Sequence, residues 1–126
     1  MARKSIRMDH IYVKIVKRTI SCEFLFEDEQ CVVFEEPNPQ SPVHLVVVPK
    51  NLTKNLKTAE SEDAKLFGHL LLVAKKMAVE RGLQKAGYHV TYFEDFSPEP
   101  TSPVSIHVFG RALHHMVWPM GPGSRL

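Results

Sequence analysis

The sequence predicts an α+β fold built on an antiparallel sheet of about five strands. Only one long amphipathic helix pattern occurs in the 126 residues, and about five β-rich runs surround it. One long helix can cover one face of such a sheet, but it cannot supply the helices of a doubly wound fold. The length indicates a single domain. The other sheet face is left for a ligand, a short helix or a second subunit.

The first element is a short helix, which we expect to begin at Asp9 as N-cap and to end near Arg18. Its apolar residues share one helical face: Ile11, Tyr12, Ile15 and Val16. Residues 23–28 and 31–36 are β-rich runs separated by a polar pair, which predicts a hairpin.

Residues 37–42 (PNPQSP) form a loop, because three prolines remove amide donors and fix φ. The run VHLVVVPK at residues 43–50 is apolar up to Pro49, so we expect a strand buried on both faces. A helix pattern then extends from residue 59 to about residue 81, with Gly82 as its stop. Its apolar stripe contains Ala64, Phe67, Leu70, Leu71, Ala74, Met77 and Ala78.

The last two strands are predicted at residues 88–95, which alternate in polarity, and at residues 104–109. The loop FSPEPTSP separates them. The order is therefore helix, three strands, long helix, two strands.

Composition excludes several classes of partner. The formal net charge of +2 is too small to indicate nucleic acid or an anionic membrane. The longest apolar run, residues 70–74, is far shorter than the roughly 20 residues that span a bilayer. We expect no metal, because the adjacent His114 and His115 point in different directions on regular backbone and no cysteine or carboxylate spacing supports a site. No cofactor is expected.

The two cysteines, Cys22 and Cys31, together with the absence of a signal-peptide pattern, indicate reduced thiols inside the cell. We expect a cytoplasmic location, or a nuclear one. Residues 1–8 are basic and contain no acidic residue, so a mitochondrial location is a minor alternative.

Four segments carry a resemblance to a known family: DHIYVKIVKRTI (9–20), FEDEQCVVFEEPNPQSPVHLVVVPK (26–50), GHLLLVAKK (68–76) and WPMG (118–121). They resemble the histidine triad (HIT) superfamily, specifically its Hint branch. The resemblance covers residues 9–121, between a disordered basic leader (1–8) and a C-terminal tail (122–126). It implies one long and one short helix on a five-stranded antiparallel sheet, and a dimer whose sheets join into ten strands.

The family is named for three histidines that alternate with apolar residues. In the matching strand, PVSIHVFG, Pro103 and Ser105 stand where the first two histidines are expected, and only His107 remains. The resemblance makes the second histidine the nucleophile that attacks a nucleoside α-phosphate. Serine needs an adjacent base for such chemistry. We expect His107 to contact Ser105 without the hydrogen bond that a Ser–His pair requires.

The phosphate loop implied by the resemblance is also altered. Residues 97–101 (SPEPT) replace a glycine-rich loop, and their two prolines delete amide donors. Glu99 adds a negative charge where a phosphate would lie. Glu99 and Thr101 are therefore the remnant of a phosphate site.

The nucleoside half of the implied site differs less from the family. The residues that match its apolar wall, an aromatic neighbour and a ribose-binding acid are Ile11, Tyr12, Ile15, Phe34 and Glu36. His44 matches an accessory histidine that faces the triad. Without the resemblance, Ile11, Ile15 and Phe34 are better explained as core residues. His44 and His107 are likewise explained as hydrogen-bonded, half-buried histidines.

These observations predict a HIT-fold pseudoenzyme that has lost nucleotide hydrolase or transferase activity. It would act as a homodimer, or as a heterodimer with a related HIT protein, with at most weak binding of a purine nucleoside or nucleotide. The alternative is a slow purine nucleoside phosphoramidate or nucleotide hydrolase that uses His107, His44 and Ser105 in a rearranged site. A third hypothesis is a nucleoside sensor that binds through Glu36 and the apolar wall.

Overall fold

The computed structural model describes residues 10–110, which form a five-stranded antiparallel sheet with two α-helices. The elements in chain order are α1 (Ile11–Val16), β1 (Phe26–Glu27), β2 (Cys31–Glu35), β3 (Val43–Pro49), α2 (Ala64–Glu80), β4 (Tyr88–Phe93) and β5 (Ser105–Gly110). The strand order across the sheet is β1-β2-β3-β5-β4. Each neighbouring pair is antiparallel. The α+β fold predicted from the sequence is confirmed.

The short helix differs from its prediction at both ends. Its N-cap is His10, whose Nδ1 accepts the Tyr12 backbone N–H at 3.0 Å. The predicted cap, Asp9, was wrong and lies outside the described residues. The helix ends at Val16 rather than near Arg18, because Arg18 has a φ of 63°, which is incompatible with a right-handed helix.

The hairpin and the long helix are shorter than expected. Strand β1 has two residues, and Asp28 closes the turn that follows by accepting the backbone N–H groups of Gln30 and Cys31, each at 2.8 Å. A 3₁₀ turn, Ser61–Asp63, precedes α2, so the helix begins five residues after the predicted position 59. Gly82 follows the helix with a φ of 73°, as its predicted stop role requires.

The two helices pack on opposite faces of the sheet. On one face α2 covers a core that includes Leu45, Val47, Ile106 and Val108. On the other face Tyr12 and Ile15 of α1 pack against Val32, Phe34, Val46 and Val48. All seven residues of β3 are buried, which confirms the strand expected to be covered on both faces. No helix in the described region is long and apolar enough to cross a membrane.

Candidate functional site

A cavity of about 250 Å³ opens on the sheet face that carries α1. Its floor comes from three adjacent strands, since His107 of β5 lies between Val46 of β3 and Thr91 of β4. The lining residues are Tyr12, Glu36, Asn38, Gln40, His44, Thr91, Phe93, His107 and Phe109. The structure therefore brings together Tyr12, Glu36, His44 and His107 from the set predicted by the sequence.

A continuous chain of hydrogen bonds runs beneath this cavity. The Gln40 backbone N–H donates to His44 Nδ1 at 3.0 Å. His44 Nε2 lies 2.8 Å from His107 Nδ1, and His107 Nε2 lies 2.9 Å from Ser105 Oγ. Two imidazoles and one hydroxyl are thus linked in series.

The backbone amide fixes the direction of this chain. Because the Gln40 N–H always carries its proton, His44 Nδ1 must be an acceptor, and neutral His44 carries its own proton on Nε2. That proton points at His107 Nδ1, so neutral His107 is protonated on Nε2 and donates to Ser105 Oγ. In this arrangement the Ser105 hydroxyl accepts a hydrogen bond from His107 and does not donate one to it.

The burial of both imidazoles favours these neutral forms. Burial, together with the smaller effect of the neighbouring His44, lowers the pKa of His107 to about 4. Burial also lowers the pKa of His44, although the charge of Glu36 opposes this shift. At neutral pH both rings are therefore uncharged.

The 2.9 Å contact between Ser105 Oγ and His107 Nε2 corrects the sequence-based expectation that no hydrogen bond joins them. Side chains two residues apart on a strand share one face, and the imidazole is long enough to reach back to the hydroxyl. The contact does not create a nucleophile, because the proton lies on the histidine. Ser105 is also only 1% exposed and does not line the cavity.

The residues expected to form the nucleoside wall do not meet at one cavity. Ile11 and Ile15 line a separate depression together with Pro37. Phe34 is fully buried in the core, with its ring centroid 5.5 Å from that of Tyr12. Only Tyr12 of the predicted apolar set reaches the cavity that contains the histidines.

Glu36, the residue expected to hold ribose hydroxyls, already has protein partners on both carboxylate oxygens. Oε1 accepts the hydroxyl of Tyr12, and Oε2 accepts the backbone N–H of Asn38 at 3.2 Å. Burial and this carboxylate contact raise the pKa of Tyr12 far above its ordinary value. A ribose hydroxyl would therefore share these oxygens with donors of the protein.

The expected phosphate remnant lies outside the cavity lining. Asp95 accepts the backbone N–H of Ser97 and that of Thr101, each at 2.9 Å, and the Thr101 hydroxyl at 3.2 Å. These bonds hold the pKa of Asp95 well below its usual range. The Thr101 donors are thereby occupied by a carboxylate, and Glu99 is exposed to solvent.

The sequence analysis missed several lining residues. Phe109 could have been found, since alternation places it on the same face as His107. Thr91 depends on the pairing of β4 with β5, which no local pattern specifies. Asn38 and Gln40 reach the cavity only because the proline-rich loop folds over His44, and no local signal indicates that contact.

Two groups of side chains within residues 10–110 could hold a metal ion, although the sequence suggested none. Glu36, His44 and His107 form one group, and Asp28, Cys31 and His69 form the other. In each group the potential ligand atoms lie within 4.8 Å of one another. The first group belongs to the cavity. His114 and His115, considered in the sequence analysis, lie outside the described residues.

Comparison with known proteins identifies the family. The family model described as "Scavenger mRNA decapping enzyme C-term binding" matches residues 9–117. An uncharacterized HIT-like protein of Synechococcus elongatus is 34% identical over 113 residues, which cover 90% of this chain and 97% of the relative. A protein of Zea mays named "14 kDa zinc-binding protein" is 37% identical over 88% of this chain and 87% of its own length.

Solved structures agree with these sequence matches. The crystal structure of a HIT family hydrolase from Legionella pneumophila has a TM-score of 0.73 at 27% identity, covering 88% of this chain and 98% of that one. A histidine triad protein from Clostridium difficile has a TM-score of 0.70 at 27% identity, covering 85% and 94%. With a family model, close relatives and fold in agreement, the chain belongs to the histidine triad (HIT) superfamily.

Proposed function

We propose that this protein is a HIT-fold pseudoenzyme that has lost nucleotide hydrolase or transferase chemistry and acts through dimerisation. The observation that carries the proposal is the direction of the chain from Gln40 through His44 and His107 to Ser105. Ser105 stands where the resemblance implies a nucleophile, and its buried hydroxyl accepts a hydrogen bond from His107. A serine nucleophile needs the opposite arrangement, with a base that accepts its proton.

Phosphate recognition is weakened independently of the nucleophile. The carboxylate of Asp95 already accepts the backbone N–H of Thr101, so this donor is not available to a phosphate. The same loop carries the exposed carboxylate of Glu99. Each lost charge-assisted bond to phosphate costs about 1.5–3 kcal/mol of binding free energy. Nucleoside binding is therefore weak, and the phosphate adds little to it.

A titration with AMP and with adenosine, followed by protein NMR shifts, tests this part of the proposal. We expect shifts for cavity residues such as Thr91 only at high ligand concentration, with the same affinity for both ligands. The third hypothesis, a nucleoside sensor, predicts clear binding that Glu36→Ala abolishes. An AMP affinity well above that of adenosine would show that a phosphate site has survived, and would contradict the proposal.

Turnover of a nucleoside phosphoramidate is the direct test of lost chemistry. Wild type, Ser105→Ala and His107→Gln should all show the same background rate. Ser105→His returns an imidazole to the position of the implied nucleophile and serves as the gain-of-function comparison. Its activity would show that the substrate can reach this position once a nucleophile is present.

A slow hydrolase is the second candidate, and the 2.9 Å contact between Ser105 and His107 favours it. It requires both rings to change tautomer so that His107 Nε2 becomes an acceptor, and this change would break the hydrogen bond from the Gln40 N–H to His44 Nδ1. Turnover by wild type that disappears in both Ser105→Ala and His107→Gln would establish this candidate and overturn the first.

The proposed dimer uses the outer edge of β4, the last strand of the described sheet. Within the described region this strand pairs only with β5, and its Val90 is 38% exposed. An outer strand with an exposed apolar side chain favours strand pairing with a second copy, which would give the ten-stranded sheet. On α2, Leu71 and Leu72 are also exposed, at 52% and 68%.

Sedimentation analysis of Val90→Lys tests the edge contact. A lysine there should shift the chain from dimer to monomer, because paired edges would bring like charges together. Ile20→Lys is the matched control, since Ile20 is also 38% exposed but lies outside the sheet. A monomeric wild type would refute the homodimer, and a complex formed only with a related HIT protein would replace it with a heterodimer.

A further inference from the structure

The geometry points to a divalent metal site, suited to Zn²⁺, formed by Asp28, Cys31 and His69 on the side of the sheet opposite the cavity. The three residues come from the turn before β2, from the start of β2 and from α2. Their ligand atoms lie within 4.8 Å of one another. This inference does not depend on the proposed function, because it uses no cavity residue.

The turn geometry orients the carboxylate toward the other two groups. Oδ1 of Asp28 accepts the backbone N–H groups of Gln30 and Cys31, each at 2.8 Å. This leaves Oδ2 directed at His69 Nε2, 2.6 Å away. The backbone thus holds one oxygen of the carboxylate and presents the other to the imidazole.

The chemistry of the three donors matches zinc. Thiolate sulfur, imidazole nitrogen and carboxylate oxygen are its usual ligands, and three protein ligands leave a fourth tetrahedral position for water. Without a metal, burial and the adjacent Asp28 raise the pKa of the Cys31 thiol to about 12. Binding would transfer that thiol proton to solvent and form a sulfur–metal bond.

The cluster also has an entry path. Cys31 is fully buried in the core under α2, but the side chains of His69 and Asp28 remain 34% and 27% exposed. An ion can therefore approach from solvent, replace the hydrogen bond between these two side chains and meet the sulfur beneath them. A hydrogen bond between Asp28 and His69 alone would not require a thiol beside it.

Titration of the whole reduced chain with Co²⁺ is the test, because cobalt bound to thiolate gives a near-ultraviolet charge-transfer band. We expect this band to saturate at one ion per chain and to disappear when Zn²⁺ displaces the cobalt. The cavity group of Glu36, His44 and His107 contains no sulfur, so it cannot produce the band. Cys31→Ser should abolish the band, and Cys22→Ser, which changes the other cysteine, should retain it.

His69→Gln provides a second variant on the half-exposed face of α2, in case Cys31→Ser disturbs the core. It should weaken cobalt affinity by at least about 10- to 100-fold, the loss seen when even an outer-shell partner is removed. Far-ultraviolet circular dichroism checks that each variant folds. The proposal is overturned if folded wild type gives no band with excess Co²⁺, if the band depends on Cys22, or if His69→Gln binds cobalt with unchanged affinity.

Discussion

Replacing Ser105 by alanine should reduce the stability of the protein without changing any turnover. Within residues 10–110, the Ser105 hydroxyl is the only acceptor for the Nε2–H of His107, and Ser105 itself is 1% exposed. A buried donor left without a partner costs about 1–3 kcal/mol. A tautomer change cannot relieve it, since the Gln40 N–H holds the proton of His44 on Nε2, facing His107.

Urea and thermal unfolding measure this cost. For a domain of this size, a loss of 1–3 kcal/mol lowers Tm by roughly 4–12 °C. The control is the same substitution in a His107→Phe background, where no imidazole donor remains to be stranded. Ser105→Ala should then cost less, with a coupling energy of about 0.5–3 kcal/mol. An equal cost in both backgrounds would refute the hydrogen bond and the proton direction derived from it.

Three further predictions concern protonation, packing and the loop after β4. Burial lowers the pKa of His107 from 6.5 to about 4. Between these two pH values the unfolded chain binds a proton at His107 and the folded chain does not. The free energy of unfolding is therefore highest above pH 6.5 and falls by about 2–3 kcal/mol as the pH drops to 4. Urea unfolding of His107→Gln should show a weaker pH dependence over that range. Gly110→Ala places a Cβ 2.5 Å from Leu83 Cδ1 and should cost about 1–3 kcal/mol; an unchanged urea midpoint would show that Leu83 moves without strain. Asp95→Ala removes the acceptor of the Thr101 N–H, so hydrogen exchange at that amide should accelerate while exchange in β3 stays constant.

The sheet could be predicted because its strands carry their own signals. The unbroken apolar run of β3 indicates burial on both faces, and all seven of its residues are buried. Element ends were less predictable. A single side chain decides two of them: His10 caps α1 in place of Asp9, and Asp28 closes the turn that leaves β1 with two residues.

The candidate site was only partly predictable, since it depends on contacts between distant segments. Alternation along one strand places Ser105 and His107 on the same face, but it does not indicate where the proton between them lies. That position is set by the Gln40 amide, 67 residues from His107 in the chain, through its bond to His44. No periodicity or motif encodes such a bond, because it arises from the path of a loop.

The presence of two histidines in the cavity does not by itself indicate retained catalysis. A polar group buried in a sheet must find partners or lower the stability of the fold. Each member of the chain formed by Gln40, His44, His107 and Ser105 satisfies the next, and no buried side-chain nitrogen or oxygen within residues 10–110 lacks a partner. Removing any one member would strand its neighbour, so stability alone is sufficient to keep all of them. The histidines can therefore persist after the nucleophile is lost, and only turnover measured against Ser105→Ala separates a structural network from a catalytic one.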